Sequence, residues 1–323
     1  MEEQPKISNK HFKIILLIAF IFILVLTEYA LRLFFGFGNP ILYDSNPLYG
    51  YRPLPNQEMS RFYGAKLKFN NLGIRSDEDW DNNINNKVLF LGSSLVYGGS
   101  YISNDELFST LAVKNIKGFK SGCSGVNAWG VDNIYGLVME SKFLPAKTYV
   151  TVINEYNFYI GLNKINGTAL WCNPPKWALK EVIFYFFWLE NEERYSPWTN
   201  YVNDKEKEYI VEKTVIRFKE MDNFLKSKGY IHLIYISPSI DQVLNQEGKD
   251  SILLNLFKKH NLNVIYILDR INTLNLNKFK KKKCFHDNAH LEKEGDIIWG
   301  EIINDDLKKV LEFKADGEAI NGL

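Results

Sequence analysis

Two short segments, far apart in the chain, carry the residue types that nucleophilic catalysis requires. Residues 92–98 (GSSLVYG) follow the apolar run 88–91 (VLFL), and residues 287–290 (DNAH) lie near the C-terminus. A serine hydroxyl is a weak nucleophile until an imidazole accepts its proton, and that imidazole needs a carboxylate to hold its tautomer. Serine, aspartate and histidine in these segments therefore predict a serine hydrolase or an acyltransferase.

These residues must be positioned by a sheet, and the sequence predicts one. Short apolar runs bounded by turn residues or charges predict strands at residues 87–91, 118–121, 149–153, 230–237 and 263–268. Helical patterns separate them, which indicates a parallel sheet with helices on both faces, a three-layer α/β/α sandwich. Open α/β folds keep their chemistry at the carboxyl edge of the strands, where the turn carrying Ser94 falls.

The clearest of these crossover helices precedes the strand at 230–237. Its apolar residues step by three or four positions with lysines and glutamates between them, at Val211, Val215, Phe218, Met221 and Leu225. Gly229 follows and predicts the end of the helix, because glycine readily takes the left-handed conformation found there.

The N-terminal region predicts one transmembrane helix at residues 12–37. The apolar stretch exceeds the ~20 residues that a spanning helix needs, and its charges Glu28 and Arg32 are spaced to pair on one helix face. A cleaved signal peptide and a buried core helix are the alternatives. Lys6, Lys10 and Lys13 precede the apolar stretch, which predicts a cytoplasmic N-terminus and an exported, periplasmic or extracytoplasmic C-terminal domain.

The predicted organisation has four parts. Residues 1–11 form a cytoplasmic N-terminus, residues 12–37 the helix, residues 38–86 a linker and irregular lead-in, and residues 87–323 the catalytic-type domain. That domain contains an aromatic-rich insertion at about 159–205, which is long enough to be functional or separately folded. Its aromatic residues are consistent with a cap over the site, sugar stacking, a bilayer interface or a helix packed on the core.

Composition excludes several other classes of function. Thirty-nine basic and 38 acidic residues leave a net charge of +1, so no global charge directs the chain to nucleic acid. The five histidines and three cysteines show no ligand spacing, and no glycine-rich phosphate loop is present, so we predict no metal and no cofactor. Cys284, close to His290, is a weaker candidate nucleophile.

With these residues identified, the chain resembles the SGNH, or GDSL-type, hydrolase superfamily in its membrane-anchored bacterial form. The resemblance covers roughly residues 87–311 and implies a flavodoxin-like α/β/α fold. Gly92, Ser93, Ser94 and Gly98 match the family's Gly-Asp-Ser-x-x-x-Gly block, with Ser93 in place of the aspartate. The resemblance implies that Ser94 is the nucleophile.

The resemblance also implies an oxyanion hole. Residues 121–125 (SGCSG) match the second block, which assigns the Gly125 N–H as one donor beside the N–H of Ser94. The third block, Gly-x-Asn-Asp, supplies a side-chain donor after the third strand. Residues 153–158 (INEYNF) offer Asn157 for that role, with Asn154 as the alternative.

The last block of the family is Asp-x-x-His, which Asp287 and His290 match without departure. The resemblance implies that His290 is the general base and that Asp287 holds its other ring nitrogen. His286 is a competing imidazole, and capping of a following helix is an alternative role for Asp287.

Two classes of function remain open from the sequence. The first is a serine-dependent ester hydrolase or O-acyl (acetyl) transferase acting through an acyl-enzyme on an acylated cell-envelope carbohydrate or similar ester. The second is a non-catalytic SGNH-like envelope binding or assembly protein, which the replaced first-block aspartate and the incomplete third block favour. Both keep a membrane contact through the N-terminal helix and neither involves nucleic acid.

Overall fold

A five-stranded parallel sheet lies at the centre of the computed structural model, which describes residues 9–166, 168–190, 204–245 and 247–315. Its strands are β5 (Lys87–Gly92), β6 (Lys120–Gly125), β7 (Thr148–Asn154), β8 (Ile231–Ser237) and β9 (Ile265–Tyr266), in the spatial order β6-β5-β7-β8-β9. The predicted parallel sheet is confirmed. The strand predicted at 263–268 is shorter because its apolar residues from Ile267 onward begin a helix.

Helices cover both faces of the sheet, as predicted. The helices in the domain are α2 (Ser94–Tyr97), α3 (Phe108–Leu111), α4 (Val131–Tyr135), α5 (Ala178–Glu190), α6 (Asp204–Ser227), α7 (Ile240–Asn245), α8 (Ser251–Lys259), α9 (Ile267–Thr273), α10 (Lys278–Lys283) and α11 (Lys293–Ala315). Successive side chains of a strand point to opposite faces. In β5, Leu89 and Leu91 accordingly pack with α4, α6 and α8, while Val88 and Phe90 pack with α3, α9 and α11.

The crossover helix predicted before β8 is α6, and it is confirmed in detail. All five of its predicted core residues are fully buried against the sheet. Gly229 has a φ of 73°, the left-handed conformation expected just past a helix end.

The lead-in at residues 38–86 is more regular than the sequence predicted. It forms two antiparallel hairpins, β1 (Tyr43–Asn46) with β2 (Gly50–Pro53) and β3 (Gln57–Ser60) with β4 (Lys66–Phe69). Tyr51 and Leu67 are fully buried in the same core as α6. Each strand of the two hairpins has only four residues, too short a pattern to distinguish from a loop.

The N-terminal helix, α1 (Asn9–Phe35), is long and apolar enough to cross a membrane. Its span from Lys10 to Phe35 has a mean hydropathy of 2.7, and its apolar residues are exposed rather than packed into the core. Glu28 and Arg32 form the predicted i,i+4 pair, with 2.7 Å between the Arg32 Nε and Glu28 Oε1 atoms. In a core helix of a soluble protein the apolar side chains would be buried, whereas those of α1 are exposed.

The aromatic insertion contributes α5, which packs beside the C-terminal end of α1. The Glu28 carboxylate accepts hydrogen bonds from the first amides of α5, those of Ala178 at 2.8 Å and Leu179 at 3.0 Å. Three further aromatic residues of the predicted insertion, Tyr195, Trp198 and Tyr201, lie outside the described residues.

Candidate active site

Ser94 is the first residue of α2, on the turn that leaves β5. The chain is closely packed where this turn begins. A Cβ at Gly92 would lie 2.4 Å from the Val152 carbonyl oxygen, so only glycine fits there. The amide of Gly98 bonds the carbonyl of Ser94 at 3.0 Å, and Gly98 ends the short helix with a φ of 76°. The sequence pattern of two glycines around the serine therefore has a steric reason at each position.

Arg75 holds the loop that follows the turn carrying Ser94. It is 2% exposed, and its guanidinium donates to the backbone carbonyls of Tyr97, Gly99 and Ile102. Its own backbone pairs with Cys123 on the edge strand β6. Because a buried guanidinium with several carbonyl partners has little freedom, Arg75 ties the lead-in, the sheet edge and the Ser94 turn together.

The Asp287 and His290 segment connects α10 to α11. The His290 Nδ1 and Asp287 Oδ2 atoms are 2.6 Å apart, and the other carboxylate oxygen accepts from the amides of Ala289 and His290. Partial burial alone would raise the pKa of Asp287, but these hydrogen bonds outweigh it and hold that pKa well below the usual range. Asp287 is thus an ionised partner that orients the His290 ring. Its bonds to the two amides close a local turn, and they do not cap α11, which begins only at Lys293.

His286 is the competing imidazole, and it too has a carboxylate partner. Its Nδ1 lies 2.7 Å from the Glu292 Oε1 atom, and its ring stacks on Tyr101 at 4.3 Å between centroids. The backbone amide of His286 bonds the carbonyl of His290, so the two histidines face each other across a tight turn. His290 differs in being the more buried of the two side chains.

A single cleft of about 1420 Å³ brings these parts together. Ser94, Asp287 and His290 all lie in its wall, and so do Asn154 and Asn157. The cleft extends from the carboxyl edge of the sheet towards the end of α1 and α5, where Phe37, Phe184 and Tyr185 line it. The structure therefore places segments nearly two hundred residues apart in one solvent-accessible space that could receive an ester.

Asn157 and Asn154, the two predicted side-chain donors, are engaged within the protein. The Asn157 amide nitrogen donates to the Trp129 carbonyl at 3.0 Å, and its oxygen accepts from the Asn154 backbone at 2.8 Å. The Asn154 amide nitrogen donates to the Ser237 carbonyl at 3.0 Å. These bonds hold the turn after β7 and use one hydrogen of each amide group. The role of either asparagine as the oxyanion donor stays a prediction.

Gly125, the predicted backbone donor, lies beneath the nucleophile turn. Its N–H points to the Cys123 sulfur at 3.3 Å, and a Cβ at this position would lie 2.5 Å from the Tyr97 amide nitrogen. It is absent from the wall of the cleft as described. The geometry therefore explains the glycine by close packing of α2 on β6, and the role of its N–H as an oxyanion donor stays a prediction.

Tyr156 is the residue that sequence reasoning missed. It lies between the two asparagines, in the cleft wall, with its hydroxyl near the side chains of Ser94, Ser93 and Asn157. Aligning residues 154–157 (NEYN) position by position with the family's Gly-x-Asn-Asp block would have identified it, because Tyr156 then takes the place of the asparagine.

The weaker candidate nucleophile, Cys284, is buried away from this cleft. Burial raises the pKa of the Cys284 thiol to about 11, so little thiolate is present at neutral pH. Within the described ranges, no group of three or more histidine, cysteine or acidic side chains is placed to hold a metal ion.

The chain was compared with known proteins. No family model matches it, and no curated protein does. It is similar to the crystal structure of the acetyl xylan esterase AlAXEase, at 14% identity over 70% of this chain and 99% of that one, with a TM-score of 0.42. A two-domain esterase active on acetylated mannans matches at 10% identity over 70% and 49%, with a TM-score of 0.40.

A GDSL-like lipase from Bacteroides thetaiotaomicron matches at 12% identity over 70% of this chain and 89% of that one, with a TM-score of 0.37. The strand order and layers described above show the predicted three-layer α/β/α fold directly. At such identities and scores these matches carry no argument about the activity or the substrate of this chain.

Proposed function

We propose that this chain is a membrane-anchored SGNH-type serine esterase or O-acyltransferase whose nucleophile is Ser94. The observation that carries the proposal is that Ser94, on its glycine-flanked turn, and the bonded pair of Asp287 and His290 line the wall of the same cleft. A hydroxyl, an imidazole and an ionised carboxylate in this relation are the parts that covalent acyl chemistry needs.

The mechanism follows from these groups. The Ser94 oxygen attacks the acyl carbonyl while His290 accepts the hydroxyl proton, and Asp287 stabilises the imidazolium that results. Collapse of the tetrahedral intermediate breaks the ester bond, and His290 returns the proton to the departing alcohol. Water or a second hydroxyl then attacks the acyl-enzyme and loses its proton to His290. The bond between the acyl group and the Ser94 oxygen breaks, His290 returns the proton to that oxygen, and an acid or a new ester is released.

The proposed substrate is an acylated carbohydrate of the cell envelope or a similar ester. A cleft of about 1420 Å³ is large enough for several sugar units, and aromatic side chains in its wall suit the faces of sugar rings. The N-terminal helix would keep this cleft close to a substrate made or displayed at a membrane. Hydrolase and transferase share every residue named and differ only in which acceptor reaches the acyl-enzyme.

The proposal is tested by ester turnover with the full-length protein in detergent. We expect release of p-nitrophenol from p-nitrophenyl acetate and of acetate from an acetylated glycan, both lost in Ser94→Ala. Adding the deacetylated glycan as acceptor distinguishes the two reactions, since a transferase would form acetylated glycan at the expense of free acetate. Equal turnover by the wild type and Ser94→Ala would contradict the proposal.

A binding or assembly protein is the second candidate. It is favoured by Ser93, which stands where the family has an aspartate and whose hydroxyl instead bonds the Asn157 oxygen at 3.4 Å. Glycan binding without any ester turnover, unchanged in Ser94→Ala, would support it.

The anchoring part of the proposal predicts the topology. A reporter enzyme active only outside the cytoplasm, fused after Leu323, should be active, because Lys10 and Lys13 lie at the N-terminal end of α1, before its uncharged residues 14–27. A fluorescent reporter that folds only in the cytoplasm serves as the reciprocal control at the same junction and should be dark. Added protease should also digest the domain in spheroplasts. A protected domain with an inactive exported reporter would contradict the predicted export.

A further inference from the structure

The turn after β7 carries Tyr156 in the cleft wall that Ser94 also lines. Asn154 and Asn157 donate their amide hydrogen bonds to the carbonyls of Ser237 and Trp129, which lie on two other segments of the chain. Tyr156, between them, places its hydroxyl beside Ser94 while 43% of the residue stays exposed along the cleft wall. The asparagines thus fix the turn, and the tyrosine is the side chain that the turn presents to the reaction.

We propose that the Tyr156 hydroxyl is the side-chain donor that stabilises the oxyanion formed when Ser94 attacks an acyl carbonyl, an inference that rests on the proposed function. Attack moves the negative charge onto the former carbonyl oxygen, within hydrogen-bonding reach of a group adjacent to Ser94. The proton remains on the tyrosine throughout. Its hydrogen bond to the substrate oxygen strengthens as charge develops and weakens again when the intermediate collapses.

The surroundings of Tyr156 keep it in the form that this role requires. Burial of the hydroxyl raises the pKa of Tyr156, hydrogen bonding with Ser94 lowers it in part, and the nearby Asp287 carboxylate raises it further. The phenol is therefore neutral at physiological pH and can donate. A phenolate at this place would instead repel the oxyanion.

Tyr156→Phe tests the inference because it removes the hydroxyl and keeps the ring. We expect kcat to fall by about 10²–10³ with KM changed by less than about twofold, since the bond is made mainly in the transition state. Tyr209→Phe, which removes an exposed hydroxyl on α6, is the matched control and should leave both constants unchanged. Thermal unfolding of both variants should follow that of the wild type.

The outcomes separate this inference from the proposed function. If Ser94→Ala abolishes turnover and Tyr156→Phe does not slow it, the proposed function stands and the Tyr156 assignment is overturned. A higher KM at unchanged kcat would also overturn it, because the hydroxyl would then act in ground-state binding. If Asn157→Ala lowers kcat at unchanged KM and unchanged thermal stability, the donor is the asparagine after all.

A second, independent observation concerns α5, whose outer face is apolar and exposed. Ile183, Phe186 and Phe187 lie on one side of the helix at 60%, 60% and 54% exposure, and Trp177 just before the helix is 62% exposed. A face of this kind on a water-soluble surface costs hydration free energy unless something covers it.

The contacts of α5 indicate what covers it. Its first amides bond Glu28 of α1, the Arg32 guanidinium donates to the Lys176 carbonyl, and Glu181 forms a buried ion pair with Arg61 at 2.6 Å. These bonds hold α5 where the apolar span of α1 ends. A bilayer crossed by α1 would have its headgroup region at this level, where tryptophan, tyrosine and phenylalanine side chains are favoured.

We infer that α5 lies in the lipid–water interface with this face in the bilayer. Phe184 and Tyr185, on the same helix, line the cleft, so the cleft would open at the membrane surface. An ester substrate would then reach Ser94 along the bilayer, which favours an acyl donor or acceptor carried on a lipid.

Site-specific labelling of the full-length protein in vesicles tests this inference. Cys172, the exposed cysteine, is replaced by serine, and an environment-sensitive fluorophore is attached at Phe186→Cys or, as a control, at Leu254→Cys on α8. In vesicles of phosphatidylcholine and phosphatidylglycerol, we expect blue-shifted emission quenched by brominated lipid at position 186 only. Emission at 186 like that of the control, or a blue shift without lipid quenching, would overturn the inference; the latter would point to a second protein copy.

Discussion

Ser94→Ala is expected to abolish ester turnover and acyl-enzyme formation while the protein remains folded. The hydroxyl is the group that forms the covalent bond, so the acyl-enzyme cannot form at this position without it. Removing one small hydroxyl at a helix start changes few packing contacts, so the thermal unfolding midpoint should stay close to that of the wild type. Quenched-flow detection of the acyl-enzyme by mass spectrometry, with p-nitrophenyl acetate as substrate, measures the loss directly.

Ser93→Ala is the matched control for this experiment. Ser93 is the adjacent hydroxyl, buried and bonded to Asn157, so its loss should leave the acyl-enzyme detectable at Ser94. An acyl group that persists in Ser94→Ala, or that maps to another residue in the wild type, would contradict the assignment of the nucleophile.

His290→Ala is expected to be about as damaging as Ser94→Ala. Without the imidazole the serine keeps its proton, and members of such a unit are strongly non-additive, so a loss of at least about 10³-fold in kcat is expected for the single variant. The double variant should be little worse than either single one. Steady-state kinetics of the three variants at a fixed pH measures this.

His286→Ala provides the comparison for the second histidine. His286 pairs with Glu292 and stacks on Tyr101, contacts that fit a supporting role in the loop. We expect it to lower kcat by less than about tenfold. If His286→Ala proved the more harmful of the two, the general base would be His286, and Glu292 would take the part assigned to Asp287.

The sequence predicted the fold because the fold depends on patterns that are local. In β5 every residue is buried, and a continuous apolar run bounded by polar segments records that burial without reference to the rest of the chain. In α6, apolar residues spaced three or four positions apart likewise indicate the buried face, and Gly229 marks the end of the helix. The serine turn and the Asp-x-x-His segment likewise predicted that Ser94 and His290 lie at the ends of strands or helices. Both residues line one cleft in the structure.

The same reasoning did not extend to the hydrogen-bonding partners within the site. The Asn157 amide nitrogen donates to the Trp129 carbonyl, and that of Asn154 donates to the carbonyl of Ser237, a residue on the next strand of the sheet. The direction of the Gly125 N–H depends in turn on the Cys123 sulfur. No local pattern records such partners, because they are supplied by distant segments that meet only in the folded chain.

The sequence by itself therefore determined the layers of the fold, the apolar N-terminal helix and the candidate nucleophile and base. Only the tertiary structure decided that Tyr156 stands beside Ser94 and that α5 is bonded to the end of α1 through Glu28. The physical reason is that burial follows from the periodicity of neighbouring residues. Hydrogen-bond assignment, in contrast, is a competition among donors and acceptors that the chain brings together from a hundred or more residues away.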